Sequence, residues 1–352
     1  MAATADSAEG FAVSKAGRAL AFASSFTIYL LAAGSLAITL FGHPAASAIT
    51  LALGDAPGVK SQAALLFAPV LEESTATAPV TQAIYGGKAL LADPAPIENT
   101  AAGPLPRIGD DGRRPMQAYA APAAMGAKFK IAIVVSGLGV SASATKAALD
   151  SLPAGITLGF APYAGDVGQW VSQARGRGHE VLLQIPMEPF DFHDSDPGPH
   201  TLRAGQDEAA NIQRLTWALT RFTGYAGVTN LLGQRFLSDS SAPSPALTYL
   251  NRRGLYFFDN GAAAQSVAPS VAAQVGIPAI QSNTTVDGIH TALEIDRRLS
   301  ELETQARATG SAVGAAFLYP VSIARITAWA KGLEARGFVL VPVSAIVNQQ
   351  KQ

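Results

Sequence analysis

The distribution of apolar residues divides the chain into three parts. Residues 19–41 are almost continuously apolar, and no Asp, Glu, Lys or Arg occurs from Ala19 to Gly54. Residues 42–127 show no sustained period of apolar positions, whereas later residues alternate between short apolar runs and longer amphipathic stretches. The pattern predicts an apolar segment, a linker and one folded domain over residues 128–348.

The apolar segment Ala19–Phe41 is long enough to cross a bilayer, because a helix of this length spans roughly 30 Å. Lys15 and Arg18 precede it, and positive charge on that side favours a cytoplasmic amino terminus. We therefore predict a cytoplasmic tail over residues 1–18, a single transmembrane anchor and an exported remainder. A cleaved signal peptide is the alternative, because Ala46-Ser47-Ala48 resembles a cleavage site.

Residues 42–127 contain nearly half of the chain's 22 prolines and many alanines. Proline fixes φ and removes a backbone donor, so long regular elements are disfavoured there. The composition predicts a disordered linker that leaves room only for short ordered pieces, such as Ser61–Phe67.

Within the domain, eight apolar runs alternate with seven amphipathic stretches. Strands are predicted at 131–135, 156–160, 181–185, 227–230, 255–258, 279–282, 312–317 and 339–343. Helices are predicted at 143–152, 167–177, 207–222, 243–253, 265–275, 289–309 and 322–336. Such alternation implies a parallel sheet. The predicted class is α/β, a barrel-like (β/α) sheet of about seven to eight strands similar to a distorted TIM barrel; an open doubly wound sheet is the alternative.

Composition narrows the chemistry. The absence of Cys excludes disulfides, thiolate metal sites and cysteine nucleophiles. A formal net charge of -1 leaves no basic footprint for nucleic acid. Of the five histidines, only His193 and His200 lie in a loop after a predicted strand, close to Asp191, Asp194 and Asp196. Their spacing matches no standard metal motif, so a solvated polar loop is the simpler interpretation.

Functional side chains of parallel α/β folds lie where the strands end, at the carboxyl edge of the sheet. The polar candidates there are Ser136, Gln184, Glu188, Asn230, Arg235, Asp259, Asp287 and Tyr319. Each alone is also explained as a turn residue, but their recurrence at one edge predicts a shared cleft. Arg235 is the expected ion-pair partner of Asp259. Glu188, Asp259 and Asp287 are acids, and paired carboxylates can divide acid and base roles in glycoside hydrolysis.

The same segments resemble the divergent polysaccharide deacetylase family. The resemblance covers about residues 128–347, and GHEVLLQIPMEP at 178–189 is its most specific part. It is also carried by KIAIVVSGLG at 130–139, GVTNLLGQRF at 227–236 and RGLYFFD at 253–259. The resemblance implies a (β/α) barrel related to metal-dependent carbohydrate esterases. It also implies a bacterial protein of the cell envelope, with the anchor in the inner membrane and the domain in the periplasm.

The chain departs from the family where the resemblance places carboxylates and histidines. Asp-Asp-Leu-Gly of the family is replaced by Ser136-Gly137-Leu138-Gly139, and three family histidines are replaced by Gln184, Leu231 and Tyr319. A zinc hydrolase needs about three protein ligands, which these residue types do not supply. The expectation is no metal cofactor, with a divalent metal such as zinc as the alternative.

Two functions follow from the resemblance. The first is a tethered protein that binds a cell-envelope polysaccharide or peptidoglycan-type glycan without the metal-dependent chemistry. Its expected binding residues are Ser136, Gln184, Glu188, Asn230, Arg235, Asp259 and Tyr319, with Trp170, Tyr163 and Tyr319 as stacking faces. The second is an active carbohydrate esterase or hydrolase with a relocated site that uses Glu188, Asp259 and Asp287. The replaced ligands favour the first.

Overall fold

The computed structural model of the protein describes residues 96–123 and 129–351. The predicted cytoplasmic tail, the anchor Ala19–Phe41 and the linker up to residue 95 lie outside the described residues. Within the two described ranges, no helix combines the length and the apolar character needed to cross a membrane.

A small antiparallel hairpin, β1 (Ile97–Thr100) and β2 (Gly103–Pro106), precedes the central sheet. The central strands are all parallel and are β3 (Phe129–Leu138), β4 (Thr157–Phe160), β5 (Val181–Met187), β6 (Gly227–Leu232), β7 (Tyr256–Asp259), β8 (Ala279–Gln281), β9 (Thr284–Thr285), β10 (Ser311–Phe317) and β11 (Phe338–Leu340). Their order is β8-β7-β6-β5-β4-β3-β10-β9, and β11 pairs with the start of β3. The predicted parallel α/β sheet is confirmed, with β9 as an additional short strand.

The sheet curls until its two ends almost meet. β8 and β9 stand at opposite ends of the strand order, yet only Ser282 and Asn283 separate them in the chain. The Ser282 amide donates to the carbonyl of Asp259 at 2.8 Å, and the Asn283 amide donates to that of Val313 at 2.8 Å. These bonds connect the β7 side of the sheet to the β10 side. The fold is therefore a curled, barrel-like parallel sheet rather than the open doubly wound alternative.

The helices after Phe129 are Ala142–Ser151, Val167–Gly176, Glu208–Leu219, Gln234–Ser238, Pro243–Arg252, Ala268–Val275, Ala292–Thr309, Pro320–Lys331 and Val343–Val347. Side-chain caps begin two of them: Ser141 Oγ accepts from the Ala144 amide, and Thr291 Oγ1 accepts from the Glu294 amide. Gly310 ends the longest helix in the left-handed conformation. All seven predicted helices are present, while Gln234–Ser238 and Val343–Val347 were not predicted.

The two faces of the sheet belong to separate cores. On β3, Ile133 packs in the outer core, whereas the next residue, Val134, packs inside the barrel. Tyr256 of β7 places a large ring in the interior. Gly227 on the neighbouring strand gives that ring space, because a Cβ there would lie 2.7 Å from it. The interior is thus filled by side chains at this level, as in other small barrels.

Residues 96–123 correct the linker prediction. They form the hairpin and the short helix Pro115–Ala118, and Met116 and Tyr119 are buried in the interior core of the barrel. The assignment of these residues to a disordered linker was wrong, because burial of two large apolar side chains stabilises an ordered path. Proline content alone does not reveal that burial.

A buried polar cluster completes the amino edge of the barrel, where the strands begin. Glu180 accepts hydrogen bonds from Tyr256 Oη at 2.9 Å, the Ser344 amide at 3.1 Å and the Ala121 amide at 3.3 Å. Burial raises the pKa of Glu180, although these hydrogen bonds oppose the shift. The neighbouring His179 is fully buried, and burial lowers its pKa to about 4, so it is neutral at physiological pH.

Candidate functional site

A cavity of about 540 Å³ lies at the carboxyl edge of the barrel, opposite the Glu180 cluster. Its lining comes from loops and strand ends that are distant in sequence. The residues used below are Asp196 after β5, Leu231 and Leu232 of β6, Asp287 and His290 after β9, and Phe317 and Tyr319 around the end of β10. Of the predicted site residues, this cavity brings together Asp287 and Tyr319.

Three rings form an aromatic wall along the cavity. The ring centroids of Phe317 and Tyr319 are 5.4 Å apart, and those of Tyr319 and His290 are 4.0 Å apart. Phe317 is 37% exposed despite its size. Neither Phe317 nor His290 is among the site residues predicted from the sequence. The signal that points to Phe317 is the spacing Phe317-Leu-Tyr319 at a strand end, which places two aromatic residues at the same edge.

Asp287 is a buried carboxyl group at the base of this wall. Its Oδ2 accepts hydrogen bonds from the Phe317 amide at 2.7 Å and from Ser322 Oγ at 2.7 Å. Burial raises the pKa of Asp287, and the two hydrogen bonds partly oppose that rise. Asp196 provides a second carboxyl group in the cavity, and its Oδ1 accepts from the Gly198 amide at 2.8 Å.

The end of β6 has an unusual backbone. Among the described residues, Leu232 is the one non-glycine residue with a positive φ, at 57°, a conformation that costs about 1–2 kcal/mol. The Asn230 side chain donates to the Leu232 carbonyl at 2.7 Å and to Asn260 Oδ1 at 2.8 Å. The Asn260 amide donates back to Asn230 Oδ1 at 3.0 Å. Asn230, a predicted ligand contact, therefore holds this strained turn in the structure.

Ser136 and Gln184 lie beneath the aromatic wall rather than in the cavity. Both are buried, and Gln184 Oε1 accepts a hydrogen bond from the Gly137 amide at 2.7 Å. The Phe317 ring covers Gly137 so closely that a Cβ at position 137 would be 2.6 Å from Phe317 Cζ. The space that a side chain at position 137 would need is thus filled by an aromatic ring.

The remaining predicted residues are engaged elsewhere. Glu188 accepts from the Ala204 amide at 2.8 Å, and its other oxygen is 3.3 Å from Arg235 Nη1. Arg235 therefore pairs with Glu188, and the expected pairing with Asp259 was wrong. Asp259 accepts from the Gly261 amide at 2.9 Å and from Gln281 Nε2 at 3.1 Å. It lines a different cavity, of about 460 Å³, beside helix Ala268–Val275.

The sequence profile of the family described as divergent polysaccharide deacetylase matches residues 133–347, more than half of the chain. The chain belongs to this family. YibQ of Escherichia coli K12, an uncharacterized protein, is 23% identical over 241 residues, which are 67% of this chain and 74% of YibQ. An uncharacterized protein of Haemophilus influenzae is 24% identical over 207 residues, 59% of this chain and 73% of its own.

A solved structure supports the same assignment. An uncharacterized protein from Agrobacterium tumefaciens C58, known from a crystal structure, is 42% identical in sequence to this chain, and the two structures superpose with a TM-score of 0.68. The similarity covers 69% of this chain and 99% of that one. The family resemblance inferred from the sequence motifs is confirmed, and the chain is a polysaccharide-deacetylase-like protein.

The donor groups in this family member do not fit a zinc ion. The positions that the resemblance assigns to metal binding carry Ser136, Gly137, Gln184, Leu231 and Tyr319. Within residues 96–123 and 129–351, no group of three or more His, Cys, Asp or Glu residues is arranged to hold a metal ion. Gly and Leu offer no donor atom, and the amide oxygen of Gln184 already accepts a hydrogen bond from Gly137.

The loop after β5 also lacks a convergent donor set. The His200 ring stacks on Trp217 with centroids 3.6 Å apart and an interplanar angle of 9°. Tyr163, predicted as a stacking face, lies 5.1 Å from the Trp217 ring and accepts a hydrogen bond from the His200 amide at 3.1 Å. These rings pack the loop against helix Glu208–Leu219. Trp170, the other predicted stacking face, packs against the outer core.

Proposed function

We propose that this protein binds a cell-envelope glycan in the carboxyl-edge cavity and does not deacetylate it through a metal ion. The observation that carries the proposal is the position of Phe317. Its ring covers Gly137, where the family resemblance places a carboxylate, and forms part of an aromatic wall around an open cavity. At position 137, a ring of the proposed binding surface thus occupies the space that the family's carboxylate would need.

The cavity has the general properties of a small-ligand site. Its volume of about 540 Å³ lies within the range of roughly 300–1,000 Å³ that such sites occupy. The faces of Phe317 and Tyr319 suit the apolar face of a sugar ring. Asp196 and Asp287 offer acceptors for sugar hydroxyl groups, and the Tyr319 hydroxyl offers both a donor and an acceptor.

Hydrolysis at this relocated site is the second candidate. The observation that favours it is the raised pKa of Asp287, since a protonated carboxyl group is the general acid of glycoside cleavage. Asp196 lines the same cavity, whereas Glu188 does not line it and Asp259 lines the other cavity. Release of reducing sugar that is lost in Asp287→Asn would favour hydrolysis over binding alone.

The location of the protein is part of the proposal. We infer that Ala19–Phe41 anchors the chain in a bacterial inner membrane and that the barrel lies in the periplasm, where it meets its glycan. Support comes from the uncharged apolar segment and from Lys15 and Arg18 ahead of it.

The binding proposal is tested with the full-length chain and isolated peptidoglycan sacculi in a sedimentation assay. Tyr319→Ala and Phe317→Ala should each weaken binding about tenfold or more, because each removes a ring of the wall. Phe190→Ala is the matched control: Phe190 is 70% exposed and is not among the residues that line the cavity. Equal binding by all three variants and the parent chain would contradict the proposal.

The part of the proposal that excludes a catalytic metal ion is tested by a separate measurement. The purified chain should contain no stoichiometric zinc, and a chelator should leave its melting temperature unchanged, because a bound ion would stabilise the folded state. Acetate should not be released from N-acetylated glycan when zinc is added. One zinc per chain together with a chelator-sensitive melting transition would refute this part and leave glycan binding to the sedimentation assay.

A further inference from the structure

We propose that the cavity selects a hexosamine unit whose amine is free and positively charged, in preference to the N-acetylated sugar. The inference rests on the proposed glycan binding and names the substrate class of the same cavity. It is carried by the joint presence of two carboxyl groups and an aromatic wall in one cavity of about 540 Å³.

The charge of the lining is one-sided. Asp196 and Asp287 both line the cavity, and among the described lining residues none is Lys or Arg. His290 also lines the cavity, with its ring against Tyr319. A ligand that carries an ammonium group meets two carboxyl groups without a fixed cation to repel it, and complementary charge of this kind contributes to specificity.

The aromatic wall favours the same ligand chemistry. The faces of Phe317 and Tyr319 carry negative electrostatic potential, and an ammonium group near such a face is attracted to it. Carboxyl groups beside ring faces are therefore suited to an alkylammonium. The neutral N-acetyl group gains neither the charge pairing nor the cation–π attraction.

The buried Asp287 gives the strongest discrimination. Both of its hydrogen bonds, from the Phe317 amide and from Ser322, are accepted by Oδ2. The group is 4% exposed, and an ionised carboxylate so buried is costly unless a cation pairs with it. A bound ammonium supplies that cation, whereas an N-acetyl group leaves the cost in place.

Further acidic residues lie near the cavity, in the loop that follows β5. The loop after β5 carries Asp191 and Asp194 beside Asp196, and all three are exposed. Clustered charge of one sign raises the local concentration of an oppositely charged ligand and speeds its association. The loop thus acts in the same direction as the cavity.

The test compares a hexamer of β-1,4-linked glucosamine with the matching N-acetylglucosamine hexamer, each titrated calorimetrically into the full-length chain at low salt. The free-amine hexamer should bind at least tenfold more tightly. Asp287→Asn should reduce that preference at least tenfold while it retains an acceptor for Ser322 and the Phe317 amide. Asp196→Asn should reduce it several-fold, whereas Glu334→Gln, the same loss of one negative charge at an exposed residue away from the cavity lining, should not.

The outcomes separate the two proposals. Equal or tighter binding of the N-acetylated hexamer, lost in Tyr319→Ala, would overturn the preference for a free amine and support glycan binding. A preference for the free amine that survives in both Asp287→Asn and Asp196→Asn would also overturn the inference, because generic charge attraction would then explain it. If neither hexamer binds and Tyr319→Ala leaves binding to sacculi unchanged, the proposed function itself is refuted.

Discussion

Gly137 has φ +94°, and the nearest atoms to its missing side chain belong to the Phe317 ring. Two constraints therefore act on this residue. The left-handed backbone disfavours any residue with a Cβ, and the ring occupies the volume into which that Cβ would project. A carboxylate at position 137, as the family resemblance would place there, requires Phe317 to move. The replacement of an acid by glycine and the place of the ring are thus coupled.

This coupling predicts that Gly137→Ala destabilises the fold by more than backbone strain alone. Gly310→Ala is the matched control, because Gly310 has φ +89° and nothing lies within 4 Å of its missing Cβ. The control should cost about 1 kcal/mol, and Gly137→Ala about 1–3 kcal/mol more because of overpacking. In the double variant with Phe317→Ala the excess should disappear. Urea unfolding of the parent chain, the three single variants and the double variant checks this, and strictly additive effects would contradict it.

The lowered pKa of the buried His179 side chain leads us to expect that the protein loses stability in mild acid. Its folded-state pKa is about 4, below the ordinary value of roughly 6.5 in the unfolded chain. A depressed pKa means that the stabilising contribution is complete above about pH 6.5 and is lost as the pH falls towards about 4. The loss amounts to about 3 kcal/mol. His179→Gln should therefore lose less stability than the parent chain between about pH 7 and about pH 4, as measured by urea unfolding.

Glu180 changes the free energy of unfolding with pH in the opposite direction to His179. The effect of His179 is therefore measured as the difference between the variant and the parent chain. Its pKa is raised by burial, so its contribution is present at low pH and is lost as the pH rises through the raised value. This contribution is common to the parent chain and to His179→Gln. An identical pH dependence in the two proteins would show that His179 is not the titrating group.

At the scale of elements, the parallel barrel was predictable because most of its strands and helices have a recognisable pattern of apolar and polar residues in the sequence. β3 contains the run Ile131–Val135, buried on both faces, and this alone indicates a central parallel strand. The hairpin β1–β2 and the two-residue β9 carry no such pattern. Their order depends on contacts distant in sequence, such as Arg253 with Glu98 and the Asn283 amide with Val313.

The site was predictable only in part for the same reason. Strand-end position predicts the carboxyl edge as the place of the site, and Asp287 and Tyr319 line the candidate cavity there. It did not indicate which polar residues bond to each other: Asn230 pairs with Asn260, and Glu188 pairs with Arg235. Such pairings depend on side-chain distances between strands, and a single sequence does not contain them.

Because the segment before β3 is ordered, we can predict the amino-terminal boundary of the protease-resistant fragment. A protease-resistant fragment of the full-length chain should begin at or before Ile97 rather than near Ala127, because Met116 and Tyr119 are buried in the barrel. Tyr119→Ala should expose Pro115–Ala118 to cleavage while the barrel fragment survives, since the change removes a large buried ring. Limited digestion with mass spectrometry of the fragments measures both results. Cleavage of the parent chain between Ile97 and Ala118 would contradict this reasoning.

At the scale of the whole molecule, the two edges of the barrel differ in structure. The amino edge is closed by the Glu180 cluster, by Tyr119 and by helix Val343–Val347. The carboxyl edge carries the cavity and the strained residue Leu232. A stable amino edge and a functional carboxyl edge are the usual arrangement of (β/α) barrels.

The proposed membrane topology is tested by fusion of a reporter after Val347. The uncharged span after Lys15 and Arg18 predicts that the reporter is active only on the periplasmic side. Deletion of residues 19–41 should abolish that activity, because it removes the predicted export segment. Reporter activity in the cytoplasm from the full-length fusion would refute both the anchor and the signal-peptide alternative.

The segment before β3 meets the barrel where strands begin. Glu98 of the hairpin pairs with Arg253, three residues before β7 begins at Tyr256, and the Met116 amide of the short helix donates to the Gly254 carbonyl. The polypeptide therefore joins the barrel at its amino edge, on the far side from the cavity. A bead or fusion partner coupled directly at Pro96 would therefore lie at the opposite edge of the barrel from the mouth of the cavity. Immobilisation at that residue would leave the cavity accessible for a test of the proposed glycan binding, whereas coupling through side chains at the rim would obstruct it.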